Sequence, residues 1–238
     1  MNLDVVELFA GVGGFRVGLN NITDFKKEDG RAIEKNGWNF VWANQYEPST
    51  KAQHAFECYS KRFQIGECSN EDINKVDKKT IPNHSLLVGG FPCQDYSVAR
   101  SISGEKGIAG KKGVLFWDIR DTLVEKNTPF VLLENVDRLL KSPASIRGRD
   151  FAIMLKTFDE LGYYVQWRVI NAGDYGMPQK RRRVFIFASK KNTKYSDMLS
   201  KKIDLESSIF EQSFPTDNDS DILKEVDINK YKDTVDVT

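Results

Sequence analysis

The chain has 238 residues, 40% of them apolar, which is enough for one sizeable core and predicts one main domain. Its 35 basic and 34 acidic residues leave a net charge of +1, so any nucleic acid or membrane partner would have to be held by local patches. No apolar run approaches the roughly 20 residues of a membrane-spanning helix, and the N-terminus lacks the layout of a secretory signal, so we expect a cytoplasmic protein.

Short apolar runs alternate with helix-like segments along most of the chain. In order, the expected strands are DVVELFA, FVWAN, SLLVGG, FVLLENV, YYVQWRVINA and RVFIFAS. The expected helices are the segment after the first glycines, STKAQHAFECYSKRF with Ser49 as its cap, VLFWDIRDTLVEKN and RDFAIMLKTFDELG. This alternation predicts an α/β fold with a doubly wound, mostly parallel sheet.

Two polar stretches interrupt or follow this pattern. Residues 20–36 are polar and aperiodic, and they are expected to form a surface insertion between the first helix and the second strand. Residues 190–238 turn polar and increasingly acidic, with scattered apolar positions. We therefore expect a catalytic domain over residues 1–189 and a linker or extension over 190–238.

The segment ELFAGVGGF, residues 7–15, runs from a strand through glycines into a helix. Its spacing fits neither a dinucleotide-binding nor a P-loop pattern, and a tight turn is the simplest interpretation. In a doubly wound sheet, however, ligands bind outside the carboxyl ends of the strands, which favours a nucleoside-containing cofactor here. Gln45 and Glu47 after the next strand are candidates for the ribose hydroxyls, and Asp72 for the adenine edge.

The segment GGFPCQDYS places Cys93 in a loop beyond the carboxyl end of a strand, on the same rim as the glycine loop. A free cysteine is usually a small buried hydrophobe, and this is the expectation for Cys58 and Cys68. The glycines and Pro92 around Cys93 instead favour a shaped loop that presents a thiolate nucleophile. Three cysteines without Cys-x-x-Cys spacing and two histidines without ligand-like neighbours predict neither a disulfide nor a metal site.

Two further ionisable groups occur at strand ends. Glu134 closes the strand LLENV, where it could cap the next helix or face a ligand. The run PQKRRRVFIF leads into an apolar strand, and alternation would send Arg181 and Arg183 to one side and Arg182 to the other. A basic run is usually a solvated face. Here we expect at least one arginine to be partly enclosed and paired with a carboxylate, a phosphate or a base edge.

Together these segments closely resemble the signature blocks of the C5-cytosine DNA methyltransferases of bacterial restriction-modification systems. The resemblance covers about residues 3–189 and rests on DVVELFAGVGGFRVGL, GGFPCQDYS, LLENV and NAGDYGMPQKRRRVFIF in that order. It implies the Rossmann-like fold of S-adenosylmethionine-dependent methyltransferases. It also implies that S-adenosyl-L-methionine is the cofactor and that duplex DNA is the substrate, with a cytosine flipped out of the helix.

The resemblance implies a set of cofactor contacts. The glycine loop would line the cofactor, Asp72 and Ile73 would flank the adenine, and Leu115 would lie nearby. Gln45 stands where the family usually has an acid for the ribose, and a glutamine can hydrogen-bond the hydroxyls but brings no charge. The cofactor-binding candidates are Phe9, Ala10, Gly11, Val12, Gly13, Gly14, Gln45, Tyr46, Asp72, Ile73, Pro92 and Leu115.

The resemblance also implies a catalytic set. Cys93 would add to carbon 6 of cytosine, Glu134 would hold ring nitrogen N3 in its protonated form, and Arg183, with Arg181 behind it, would contact the base and its surroundings. The substrate-binding candidates are Gln94, Ser97, Asn135, Val136 and Gln179.

Three alternatives remain. A zinc cytidine deaminase is disfavoured because PCQDY lacks the second cysteine of its motif. An RNA (tRNA) cytosine-5 methyltransferase or a catalytically silent methyltransferase-like regulatory subunit could carry the same blocks. Single-chain members of the family continue with a target-recognition domain and a closing cofactor block that we do not find here. A second polypeptide supplying both is therefore the expected partner, and truncation of a longer enzyme is the alternative.

Overall fold

The computed structural model describes residues 3–63, 68–92, 115–142, 147–193, 196 and 213. Four α-helices are found in these ranges: α1 (Gly14–Leu19), α2 (His54–Arg62), α3 (Phe116–Lys126) and α4 (Arg149–Glu160). The strands are β1 (Asp4–Leu8), β2 (Asn39–Asn44), β3 (Cys68–Ser69), β4 (Leu86–Gly90), β5 (Phe130–Val136), β6 (Tyr163–Asn171) and β7 (Arg182–Lys190). Short 3₁₀ turns cover Lys78–Thr80, Asp137–Lys141 and Ala172–Tyr175.

The strands form one seven-stranded sheet in the order β3-β2-β1-β4-β5-β7-β6. Strand β1 pairs in parallel with β2 and β4, and β2 pairs in parallel with β3. Strands β6 and β7 are antiparallel. The predicted α/β class with a mostly parallel sheet is confirmed, and each expected strand is present within a few residues of its predicted position.

The chain divides into two compact units. The first contains residues 1–91 and 117–132. Its central strands β1 and β4 are buried on both faces, with Val5, Val6, Leu8, Leu87 and Val88 all fully inaccessible to solvent. Such continuous apolar strands are typical of a parallel sheet covered by helices. Because β1, β2 and β3 run in parallel, the loops after them lie at one edge of this unit.

The second unit contains residues 92–116 and 133–238. Helix α4 is strongly amphipathic, and its apolar face carries Phe151 and Phe158, both buried. The Phe158 ring packs edge-on against Phe116 and Tyr163, and Phe151 packs against Trp167. These aromatic contacts hold α4 in place beside the antiparallel pair β6 and β7.

The predicted cap of helix α2 is wrong. The helix begins at His54, with Gln53 rather than Ser49 at its N-cap. The Gln53 side chain accepts a hydrogen bond from the Glu47 N–H at 2.8 Å and donates to the Glu47 carbonyl at 2.9 Å. These bonds hold residues 47–52 in a turn, so the helix cannot extend back to Ser49.

The insertion at residues 20–36 lies where it was expected, between α1 and β2, and it has a defined role. Glu34 in the insertion forms a bidentate ion pair with Arg16 of α1, at 2.7 and 3.0 Å. Arg16 is 5% exposed and its guanidinium also faces the rings of Phe40 and Phe63. The insertion therefore supplies the counter-charge for a buried cation. The predicted extension at 190–238 falls almost wholly outside the described residues.

Within the part of the chain that the structure describes, no helix is both long and apolar enough to cross a bilayer. In that same part, no group of three or more His, Cys, Asp or Glu side chains is arranged to hold a metal ion.

Candidate active site

The glycine loop after β1 has an unusual backbone. Phe9, Gly11 and Gly13 all have positive φ angles, of 54°, 57° and 88°. A phenylalanine rarely adopts this conformation, and such strain is concentrated at ligand-binding sites. The two glycines serve different purposes. A Cβ on Gly11 would meet open space, whereas one on Gly13 would lie 2.8 Å from Cζ of Phe63 and nearer still to Cε2.

Consequently Gly13 allows α1 to pack closely against α2 and its C-terminal Phe63, and Gly11 leaves the outer side of the loop open. The side chains that precede and follow Gly11 differ in exposure. Ala10 is buried in the apolar cluster of this unit, while Val12 is 46% exposed. An open strip of backbone beside an exposed apolar side chain suits a flat, partly apolar ligand.

Hydrogen bonds of the residues at the end of β2 connect the glycine loop to the loop after β3. The Gln45 side-chain oxygen accepts a hydrogen bond from the Gly11 N–H at 2.7 Å, and Gln45 is buried. The Asn44 amide donates to the carbonyl of Glu71 at 2.9 Å. The Asn44 carbonyl in turn accepts the Ala10 N–H at 3.0 Å. Three loops at one edge of the unit are therefore joined by hydrogen bonds, and the oxygen of Gln45 is occupied by backbone.

The loop after β3 carries the two adenine candidates. Ile73 is buried, and Asp72 is half-buried. The Oδ1 atom of Asp72 accepts hydrogen bonds from the Asn74 backbone N–H at 3.1 Å and from the Asn74 side chain at 2.9 Å. Among the described residues this leaves Oδ2 to accept a hydrogen bond from a ligand. Tyr46, the remaining candidate of this unit, is 39% exposed.

A buried carboxyl lies directly under the glycine loop. Glu7 is 1% exposed, and burial raises its pKa to about 8 despite a hydrogen bond donated by the Tyr59 hydroxyl at 3.2 Å. Backbone N–H groups of Phe15 and Arg16 and the charge of Arg16 oppose that rise. Glu7 is therefore mostly protonated at neutral pH, which makes it a neutral support for the loop.

The second unit brings together two of the four catalytic candidates. The Arg183 Nε lies 2.8 Å from the Glu134 Oε1, and the two side chains are 24% and 23% exposed. Glu134 belongs to β5 and Arg183 to β7, which are neighbouring strands of the sheet. The prediction that one arginine of the basic run is partly enclosed and paired with a carboxylate is confirmed.

The neighbouring arginines have other partners. Arg182 lies 3.2 Å from Asp137, and both side chains are more exposed than the Glu134 pair, at 42% and 41%. Strand β7 begins at Arg182, so the alternation predicted for the run does not extend back to Arg181. Arg181 is exposed, and its backbone N–H donates to Asn171 at 3.1 Å.

The structure places the other candidates of this unit as follows. Asn135 is 2% exposed, and its side-chain oxygen accepts the N–H of Val136 at 2.8 Å. Val136 is half-buried and Gln179 is exposed. Leu115 is half-buried and Pro92 is exposed. Cys93, Gln94 and Ser97 lie outside the described residues.

The two described cysteines are both half-buried and free of disulfides. Burial, together with the charge of Glu7, raises the pKa of the Cys68 thiol to about 12. Such a thiol is almost entirely protonated at neutral pH and is a poor nucleophile.

Comparison with known proteins identifies the class. The family model of C-5 cytosine-specific DNA methylases matches residues 3–237. Over 91% of its length the chain is 55% identical to the type II methyltransferase M.Sau3AI of Staphylococcus aureus, covering 51% of that protein. It is 35% identical to M.HhaI of Haemophilus parahaemolyticus over 77% of its length, covering 48% of that protein. The chain belongs to the C-5 cytosine-specific DNA methylase family, and it spans about half the length of these relatives.

Solved structures agree with the fold. The S. pombe Dnmt2 methyltransferase superposes with a TM-score of 0.56 at 21% identity, covering 80% of this chain and 51% of that one. A putative DNA modification methyltransferase encoded within an E. coli prophage superposes with a TM-score of 0.54 at 22% identity, covering 86% of this chain and 53% of that one. At these identities the likeness supports the methyltransferase fold and carries no further argument.

Sequence reasoning missed the residues that support the candidate site. Glu7 and Asn44 could have been suspected, because each is a polar residue within or ending an apolar strand. Lys78 and Asp118 form an ion pair at 2.9 Å although 40 residues separate them. Nothing in the local sequence pattern pairs these two residues.

Proposed function

We propose that this chain is the catalytic part of a DNA (cytosine-5-)-methyltransferase, which transfers a methyl group from S-adenosyl-L-methionine to carbon 5 of a flipped-out cytosine in duplex DNA. The observation that carries the proposal is the 2.8 Å pair of Glu134 and Arg183. Its two members are about a quarter exposed, so both can reach a ligand while each fixes the orientation of the other. A carboxyl and a guanidinium held in this way suit a planar ring with adjacent donors and acceptors.

The residues of the first unit fit an adenosyl group. The open face of Gly11 admits a ligand close to the backbone, Val12 and Tyr46 offer exposed apolar surface, and Asp72 offers an acceptor for an exocyclic amine. S-adenosylmethionine bound there supplies an electrophilic methyl group. Because the Gln45 oxygen is already bonded to Gly11, its remaining amide N–H₂ is the group that can meet a ribose hydroxyl.

Cys93 starts the proposed chemistry. Its thiolate adds to carbon 6 of cytosine and forms a carbon–sulfur bond, while Glu134 holds a proton at ring nitrogen N3 so that the ring can accept the electron pair. Arg183 keeps Glu134 in position and contacts the base. Carbon 5, now electron-rich, would take the methyl group from the sulfonium of the cofactor, which would be released as S-adenosylhomocysteine. Loss of the carbon 5 proton to solvent, expulsion of the Cys93 thiolate and return of the N3 proton to Glu134 would then restore the aromatic ring.

Covalent capture tests this assignment. Duplex DNA carrying 5-fluorocytosine should trap the wild-type protein, because fluorine cannot leave as a proton does. Cys93→Ser should abolish capture while leaving cofactor affinity within a few-fold of wild type. Cys58→Ser, which alters another free thiol, is the matched control and should retain capture. Capture by the Cys93 variant would overturn the assignment of the nucleophile.

The substrate class is tested in the same preparation. Labelled methyl transfer to duplex DNA is expected, and transfer to tRNA in its place would favour an RNA cytosine-5 methyltransferase. A folded protein that binds cofactor but methylates neither would favour a silent regulatory subunit. The Glu134–Arg183 pair argues against that last alternative, because a regulator has no need of a charged pair left partly exposed.

A further inference from the structure

Lys78 occupies an unusual position below the loop that carries Asp72 and Ile73. Its ammonium group donates to the carbonyls of Ile73 and Val76, the latter at 3.2 Å, and to Oδ1 of Asp118 at 2.9 Å. An ammonium group has three hydrogens, and all three have an acceptor here. The Lys78 side chain is 13% exposed and that of Asp118 is 9% exposed.

The two carbonyls belong to one tight turn. Within it the Lys75 N–H donates to the Asp72 carbonyl at 2.8 Å, and the Val76 N–H donates to the Ile73 carbonyl at 3.3 Å. Lys78 therefore stabilises the turn through its hydrogen bonds to the carbonyls of Ile73 and Val76. Removing its ammonium group would take the charged donor away from the carbonyls of the buried Ile73 and the half-buried Val76, and the turn would be held less firmly.

Asp118 explains why a lysine can be enclosed at this point. It lies in the first turn of α3 and balances the charge of Lys78. Burial raises the pKa of the Asp118 carboxyl, while Lys78 lowers it. The negative charges of Asp121 and Asp72 also raise the pKa of Asp118. The ammonium group of Lys78 therefore offsets a local excess of negative charge.

We propose that Lys78, held by Asp118, is a positioning residue for the adenine end of the cofactor. It acts by fixing the turn that presents Asp72 and Ile73, and it does not touch the reacting atoms. The inference rests on the proposed function, because it assigns that turn to the cofactor. The neighbouring Lys79 has its carbonyl held by a different lysine, Lys126, at 2.7 Å, which provides a close control.

Kinetics of Lys78→Met test the proposal in the same active preparation as the capture assay. We expect the KM for S-adenosylmethionine and the Kd for S-adenosylhomocysteine to rise by about tenfold or more. The kcat at saturating cofactor and the KM for DNA should stay within about twofold. Lys78→Arg, which keeps a cation with several donors, should recover most of the affinity. A general loss of folded protein would instead lower the active fraction and leave the cofactor KM unchanged.

Two controls separate this role from the loss of any lysine contact. Lys126→Met removes the donor to the adjacent carbonyl, and Lys35→Met removes an exposed ion pair to Asp24 of similar length, 2.8 Å. Neither should change the cofactor KM by more than about twofold. Should Lys78→Met fail to fold, Asp118→Asn provides the same test, because it weakens the hold on Lys78 without removing its donors.

The outcomes distinguish this inference from the function on which it depends. If the wild-type protein binds no S-adenosylhomocysteine, the proposed function fails. If the wild type binds it and folded Lys78→Met and Asp118→Asn bind it equally well, the positioning role is overturned while the function stands. Equal losses in the Lys126 and Lys78 variants would also overturn the role, because they would reflect general support of the unit.

Discussion

The candidate functional residues divide into two halves, one in each unit, and these halves are built in opposite ways. In the first unit the polar side chains near the glycine loop are bonded to backbone: Gln45 holds Gly11, Asn44 holds Glu71, and Glu7 lies buried beneath the loop. In the second unit, Glu134 and Arg183 are bonded to each other and remain partly exposed. The first half therefore presents a shaped backbone, and the second presents two charged groups.

This difference predicts which property of the protein a mutation in each half should change. In the first half a substitution changes the shape of the loop, so its effect should appear in stability and cofactor affinity together. In the second half a substitution removes a charged side-chain group without changing the shape of the backbone. Its effect should therefore appear in the rate of methyl transfer. Variants in each half can confirm or break this contrast.

The largest effect is expected from Gly13→Ala. The new Cβ would overlap the ring of Phe63, and φ is +88°, so overlap and backbone strain together should lower the free energy of unfolding by about 4 kcal/mol. Gly14→Ala is the control, because its Cβ would meet open space in the first turn of α1. Denaturant titration of both variants measures the difference. Similar stability of the two would contradict a shape-determined loop.

The next effect is expected from Glu7→Gln. The pKa of Glu7 is about 8 in the folded protein and 4.5 without burial, so its contribution to stability is greatest below pH 4.5 and falls as the pH rises to about 8. At pH 7 the ionisation that folding suppresses costs about 3 kcal/mol. Glutamine has no such cost, and the variant should gain stability relative to wild type as the pH rises from 5 to 8.

Unfolding curves at several pH values measure this gain. Glu71→Gln alters an exposed carboxylate and should leave the pH dependence of the wild type unchanged. A Glu7→Gln variant that kept the same pH dependence as wild type would contradict the assignment of Glu7 as a neutral support.

A third prediction concerns the second half. Arg183→Ala should lower methyl transfer by at least about tenfold, roughly 1.4 kcal/mol of barrier, with little change in unfolding free energy. Arg182→Ala is the matched control, because it removes the same group from a more exposed pair with Asp137. Methyl transfer rates of both variants in the preparation used for covalent capture are the measurement. Full activity of folded Arg183→Ala would show that the pair with Glu134 is structural and takes no part in methyl transfer.

Different features of the sequence predicted the fold and the residues of each half. Apolar runs such as that of β4 are local, and the glycines of the first loop are visible in the sequence itself. The pairing of Glu134 with Arg183 followed as an expectation, because a basic run that leads into an apolar strand must enclose some charge. The Lys78–Asp118 pair was not predictable, because two single charges 40 residues apart have no periodic signal. Gln45 was predicted to meet a ribose, and its bond to Gly11 depends on how the chain folds around β1.

The smallest effect on stability is expected from His84, which lies at the edge of the first unit opposite the glycine loop. His84 precedes β4 and is 8% exposed, with its ring nitrogens 2.8 Å from the Pro82 carbonyl and 2.9 Å from the Thr128 hydroxyl. Burial, aided by the charge of Lys126, lowers its pKa below the ordinary 6.5. The folded state thus resists protonation, so stability is fully present above pH 6.5 and declines as the pH falls toward the folded-state pKa.

His84→Gln should therefore flatten the loss of stability between pH 7.5 and 5.5, while His54→Gln, whose side chain is 83% exposed, should leave it unchanged. Urea unfolding at the two pH values is the measurement. Because β1 and β4 are parallel, His84 lies at the amino ends of the strands and the glycine loop lies at their carboxyl ends. Cofactor affinity at pH 7.5 should therefore be the same in His84→Gln and wild type. A loss of affinity there would show that the shape of the loop depends on the whole unit and not on the hydrogen bonds at its own edge.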